Sequence, residues 1–175
     1  EHWLRVEEMT WDERAKEATV KLRPVADRVW LAHLEPYPYS RFLRLRDEID
    51  RSPHARIELI GKSVQDRDLH VITVTNFEKT DAGKKTVWLQ ARQHAWETGT
   101  SFTMEGALRF VVSDDPVAQR LRDRTIFRFT PMVDPDGSAT GGVRFNANGY
   151  DLNRHWDRID LRDKAVLRAM PESWY

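Results

Sequence analysis

Two residues in the stretch QARQHAWETGTSFTMEGALRF, 90 to 110, have the types and spacing of a metal half-site: His94 and Glu97. Zinc takes imidazole nitrogen and carboxylate oxygen at about 2.0 to 2.2 Å, so two such side chains must converge on one point. A spacing of three on a turn that enters a helix brings both to one side. The alternative is a surface histidine beside a solvated glutamate, since the same spacing arises by chance in many proteins. The chain has no Cys. Disulfides and thiolate chemistry are therefore excluded, and any metal must be held by His and carboxylates. His2, His33, His54 and His70 have no acidic partner at ligand spacing and read as surface or packing residues, whereas His155 sits in a more suggestive context.

The elements around the pair must position it. TVWLQARQ is dense enough in apolar residues for a central strand, and it should end just before His94. Open α/β sheets put their sites at the carboxyl ends of strands. The following TGTSFTMEGALRFVVSDD reads as a helix capped by Thr98 or Thr100, with Met104, Ala107, Leu108 and Val111 as its buried stripe. PVAQRLRD is a second short helix opened by Pro116, and RTIFRFTPMV alternates as another strand. DPDG is a turn signal, GSATGG a flexible loop, and VRFNANGYDLNRHWD irregular. The tail RIDLRDKAVLRAMPESWY holds one more helix.

Upstream, MTWDERAKEA reads as turn-like or briefly helical, and residues 18 to 34 as two extended runs split by Pro24 and Asp27. EPYPYS, 35 to 40, is a stiff connector and a domain boundary. Ser40 is placed to cap a helix carrying Phe42, Leu45 and Ile49 at helical spacing and ending at Pro53. Residues 56 to 75 read as a β-hairpin joined through Gly61 and the polar KSVQDRD. The order of elements predicts an α/β fold with a mixed, mostly parallel central sheet and helices on both faces.

Bulk composition limits the function classes. Lys plus Arg and Asp plus Glu are 28 each, so the formal net charge is zero. That balance gives no reason to expect nucleic acid or an anionic membrane as partner. No apolar run is long enough to span a membrane. The acidic start EHWLRVEEMT is no signal peptide and lacks an initiating Met, so the chain is expected to begin inside a longer gene product.

The His-x-x-Glu pair is followed in order by VDPDG, Arg144 and DLNRH, and preceded by IGKS. This series resembles the zinc metallocarboxypeptidase family, whose pattern is a zinc-binding His-x-x-Glu after a strand, then Asn-Pro-Asp-Gly, an isolated Arg, and Asp-(Leu or Ala)-Asn-Arg-Asn. The likeness is to the cytosolic carboxypeptidase branch and its bacterial relatives. It covers residues 36–175 as the N-terminal part of a catalytic domain, with 1–35 resembling the end of a small β domain.

The resemblance implies a Zn2+-dependent peptidase that removes C-terminal amino acids in a cytoplasmic setting. It implies His94 and Glu97 as metal ligands and Arg144 as the group that steadies the oxyanion. It implies Asn153 and Arg154 as the grip on the substrate's terminal carboxylate, a task suited to the guanidinium fork. The alternative for both arginines is a surface ion pair. Three positions depart from the pattern: Ala95-Trp96 inside the zinc motif, Asp134 for its Asn, and His155 for the last Asn. The family's second zinc His and catalytic Glu have no counterpart after His155, because Glu105 and Glu172 are misplaced for them. The third ligand is therefore expected from a missing C-terminal part or a neighbouring chain. Two other readings stand beside this one: a non-catalytic module recognising C-terminal carboxylates, and an amidohydrolase of small acylated amino acids.

Overall fold

Phe42, Leu45 and Ile49 recur on one helix face, and they are the residues that α1 (Tyr39–Ile49) buries. Each contributes roughly 1.5–3 kcal/mol by leaving water. The structure is a computed structural model that describes residues 3–160 and 162–175; His2 lies outside them. The chain divides into two compact units, Glu1–Glu35 and Pro36–Tyr175.

In the first unit, β1 (Glu8–Asp12) and β2 (Glu17–Lys21) form an antiparallel hairpin. This corrects the turn-like or helical reading of MTWDERAKEA. The turn is closed by Asp12 Oδ1, which accepts from the backbone N–H of Arg14 and of Ala15, and by Lys16 at φ 56°. Residues 22–34 form no regular element, so only one of the two extended runs is a strand.

In the second unit a four-stranded sheet runs in the order β3 (Ala55–Lys62), β4 (Asp68–Val74), β6 (Thr125–Thr130), β5 (Lys85–Gln90). The mixed α/β sheet is as expected, but it is not mostly parallel: among the described residues β3–β4 and β4–β6 pair antiparallel and only β5–β6 pairs parallel. Strand β4 is buried along nearly its whole length. Its Ile72 and Val74 join Phe129 of β6, Leu45 and Ile49 of α1, and Met104, Leu108 and Val111 of α2 (Thr98–Val112) in the main core. Strand β5 sits at the sheet's edge among the described residues, with Trp88 about half exposed, rather than at its centre. A parallel pair needs a crossover, and α2 with α3 (Pro116–Arg124) supplies it.

The caps differ from expectation. Pro38, not Ser40, precedes α1, and neither Thr98 nor Thr100 caps α2, whose N-cap is Glu97 without a side-chain bond. Thr100 Oγ1 instead donates back to the Glu97 carbonyl. Asp115 does cap α3 through the Val117 N–H. DPDG opens a short helix, α4 (Pro135–Thr140), capped by Asp134; the GSATGG loop is thus partly helical. Pro at its first turn and an Asp cap favour this start. Among the described residues the tail holds two helices, α5 (Lys164–Ala169) and α6 (Pro171–Trp174), because Pro171 cannot continue the first.

Candidate active site

Strands β5 and β6 run parallel, so both leave the sheet at the same end. Their exits stay paired beyond the strands: Ala91 N–H donates to Thr130 O (3.0 Å), Val133 N–H to Ala91 O (3.0 Å) and Asp134 N–H to Arg92 O (2.9 Å). The turn ARQHAWE therefore lies beside the turn PMVDPDG. Gly137 of α4 lets them close up, since a Cβ there would meet Ala95 Cβ at 2.6 Å and Asp134 Oδ2 at 2.3 Å.

His94 is buried, with its side chain 5% exposed, while that of Glu97 is 42% exposed. His94 Nδ1 lies 2.9 Å from Glu97 Oε1, and its Nε2 lies 2.9 Å from Asp151 Oδ1. Asp151 Oδ2 accepts from Arg144 Nε at 2.7 Å. Three sequence-derived residues, His94, Glu97 and Arg144, are thus joined through a fourth, Asp151, that the sequence reading did not single out. Its available signal was its place as the first residue of DLNRH. Burial works to raise the Asp151 carboxyl, but the bonds from His94, the Asn153 N–H and Arg144 outweigh it and hold the group well below the usual carboxylate range.

Asn153 and Arg154 lie on the same turn as Asp151. The Asn153 N–H donates to Asp151 Oδ1 (3.0 Å) and the Arg154 N–H to Asp151 O (3.1 Å). Both side chains are exposed, and Arg154 Nη1 donates to Asn153 O. His155 stacks edge-on against Tyr150, with ring centroids 6.1 Å apart. Around this group stand exposed apolar side chains: Trp96, Val143, Phe145, Tyr150 and Trp156. The Trp96 N–H donates to Val143 O (3.1 Å), tying the His94 turn to the Arg144 segment. Two other histidines of this unit are elsewhere: His70 is buried against Phe42, and the carbonyl of His54 accepts from Thr75 N–H. Glu105 pairs with Arg41 outside this group, and Glu172 is buried with Asn146 and the Val64 N–H.

The arrangement suits a cation. A neutral imidazole has one N–H; with that proton on the Asp151 side, a lone pair faces the Glu97 carboxylate. A metal ion placed between them would take both the lone pair and the carboxylate. A carboxylate on the far ring nitrogen is also the usual outer partner of a metal-bound histidine. His94 and Glu97 therefore fit two positions of a zinc site. A catalytic zinc takes three protein ligands. Among the described residues no group of three His, Cys, Asp or Glu could hold a metal ion.

Comparison with known proteins agrees on one family. The zinc carboxypeptidase profile matches residues 44–169. Mouse cytosolic carboxypeptidase 6 is 38% identical over 129 residues, covering 71% of this chain and 24% of the relative. Mouse cytosolic carboxypeptidase 2 is 34% identical over 157 residues, covering 85% and 17%. Among solved structures, a metallo-carboxypeptidase from Burkholderia cenocepacia superposes with TM-score 0.85 at 33% identity, over 95% of this chain and 43% of that one. A metallo-carboxypeptidase from Pseudomonas aeruginosa, in complex with (2-guanidinoethylmercapto)succinic acid, gives TM-score 0.84 at 30% identity over 99% and 44%. The chain thus spans a quarter or less of these curated relatives and under half of these solved ones. Among the described residues no helix is long and apolar enough to cross a membrane.

Proposed function

The chain belongs to the zinc carboxypeptidase family, and from that premise we propose that residues 36–175 are the front part of the catalytic domain of a metallocarboxypeptidase acting on peptide or protein C-termini. The observation that supports this most is the chain of contacts Glu97–His94–Asp151–Arg144, which joins two candidate metal donors to one guanidinium. Zinc, when bound, supplies a Lewis acid and a water of lowered pKa. His94 and Glu97 would hold it. Asp151 would fix the His94 ring, and Arg144 would offer positive charge where a carbonyl oxygen becomes anionic. Asn153 and Arg154 would grip the terminal carboxylate. In this reading the third ligand and the general base come from outside these 175 residues. The succinic acid ligand of the Pseudomonas relative carries carboxylates, which is compatible with such a grip. A cytoplasmic setting is part of the same proposal, in keeping with the names of the cytosolic relatives.

The donor count motivates a second reading, a module that binds C-terminal carboxylates without cleaving them. Both readings need the grip, so it is tested first. A peptide with a free C-terminus should bind the 175-residue chain at least tenfold more tightly than its amide, a gap of about 1.4 kcal/mol. Arg154→Ala should erase that preference with its fold intact. Equal binding of acid and amide by the unaltered chain would sink both readings. Zinc binding lost in His94→Ala favours the enzyme, and zinc binding unaffected by that change removes the metal assignment.

A further inference from the structure

The turn that carries His94 and Glu97 encloses a buried guanidinium. Arg92 is 3% exposed, and its backbone has φ 56°. A non-glycine residue in that region costs roughly 1–3 kcal/mol, so the surrounding structure must over-determine it. Burial lowers the affinity of Arg92 for its proton, with the Asp134 charge opposing. A buried cation is expensive unless its donors are used; here both terminal nitrogens are used, while Nε has no partner among the described residues. Nη2 donates to Ala95 O at 2.5 Å, and Nη1 donates to Tyr37 O at 2.9 Å and to Ser101 Oγ at 3.2 Å. One planar fork therefore spans the segment before α1, the first turn of α2 and the turn between the two metal donors.

Ala95 lies between His94 and Glu97, and the direction of its carbonyl sets the peptide planes on which they diverge. The main chain of Arg92 serves the same turn: its N–H donates to Thr100 Oγ1 (3.2 Å), which donates to Glu97 O (2.7 Å). We propose that Arg92 is a positioning residue: its guanidinium fixes the Ala95 carbonyl and thereby the mutual geometry of His94 and Glu97. Buried as it is, it does not touch a ligand. Lysine would not replace it, because one ammonium on a flexible stem cannot occupy three acceptors in the plane of a guanidinium. For its effect on metal, the inference rests on the reading of His94 and Glu97 given above; for the geometry of the turn it does not.

The test uses the 175-residue chain without metal and the acylation of histidines by diethyl pyrocarbonate, followed residue by residue by mass spectrometry. In Arg92→Lys, His94 should be modified about tenfold faster, through local opening of its turn. Buried His70, on β4, should keep its slow rate. An unchanged His94 rate overturns the proposal; so does a His70 rate that rises in step, which would make Arg92 a support of the whole fold. Ser101→Ala removes one acceptor and should raise the His94 rate about threefold, a smaller opening of the same turn. If Arg92→Lys does not fold, an unchanged rate in Ser101→Ala overturns the proposal instead. Zinc titration is the second readout: Arg92→Lys should weaken binding about 10–100-fold, the range for partners that orient a ligand. Zinc binding equal in the unaltered chain and in His94→Ala would remove the metal reading, and the histidine rates would still decide the role of Arg92.

Discussion

At one end of the sheet two strands deliver carboxylates to very different ends. The turn after β5 offers Glu97, partly exposed and hydrogen-bonded to a histidine ring, and this ring leads on to Asp151. The turn after β6 delivers Asp134 and Asp136, both almost fully buried. Asp136 accepts from Ser63 Oγ (2.7 Å), the Gln65 N–H (2.8 Å) and Arg67 Nη1 (2.8 Å), which straps the β3–β4 turn to α4. Asp134 caps α4 through the Gly137 N–H at 2.9 Å, while its other oxygen has no partner among the described residues. The same chemical group thus builds the frame where its lone pairs are consumed by the protein. It is available for chemistry where they face a ring nitrogen and solvent.

The largest test of that contrast is Asp136→Ala. It leaves Arg67 and two donors without their acceptor and should cost about 3 kcal/mol, near the lower end for breaking a buried pair because Arg67 is partly exposed. Chemical denaturation reads this directly, and a loss under about 1 kcal/mol would mean that the closed end is held by something else.

Asp151→Asn should cost less, about 2 kcal/mol at pH 7, for hydrogen bonds to a charged group. Its pH dependence has a definite sign. The folded carboxyl is held below its ordinary value, so its contribution is complete above the ordinary carboxylate range and drains away as pH falls below it. The gap between Asp151→Asn and the unaltered chain should therefore narrow toward pH 3. A gap constant from pH 7 to pH 3 would show that the charge of Asp151 is not what the site uses.

Asp134→Asn should act oppositely and least. Burial raises the Asp134 carboxyl, so the folded state keeps a proton that the unfolded state has lost, and stability falls as pH rises through that range. The amide removes this penalty. We expect melting to rise by about 2–4 °C at pH 7, equivalent to roughly 1 kcal/mol in a chain of this size. The gain should vanish near pH 3, and a drop at pH 7 would show that the unbonded oxygen matters more than the charge.

At the open end, ordered short motifs singled out His94, Glu97 and Arg144, which the structure joins through Asp151; such motifs are readable without knowledge of the fold. Asp151 and Arg92 were not singled out, because what matters about them is which distant atoms they reach: Asp151 meets a ring 57 positions away, and Arg92 reaches a carbonyl 55 away. Helix α1 was legible because its apolar stripe is buried as spaced. Strand β2 fell within an extended run, but β1 and its pairing with β2 were missed, because both faces are exposed and no alternation marks them. DPDG was read as a turn because Pro, Asp and Gly favour turns, but Pro at the first helical position and an Asp cap serve a helix start equally well.

The parallel pairing of β5 with β6 also sets the order in which the molecule can be made. Gln90 reaches Thr130 only after the whole α2–α3 crossover has closed, and the entropy of closing so long a loop is met before its contacts form. The β3–β4 hairpin and the helices can form from neighbours in sequence. The His94 turn cannot, since it leans on Asp134, Gly137 and Asp151, all beyond the crossover. The chemistry-bearing turn should accordingly be completed late in folding, and amide hydrogen exchange should find it opening before the β3–β4 hairpin.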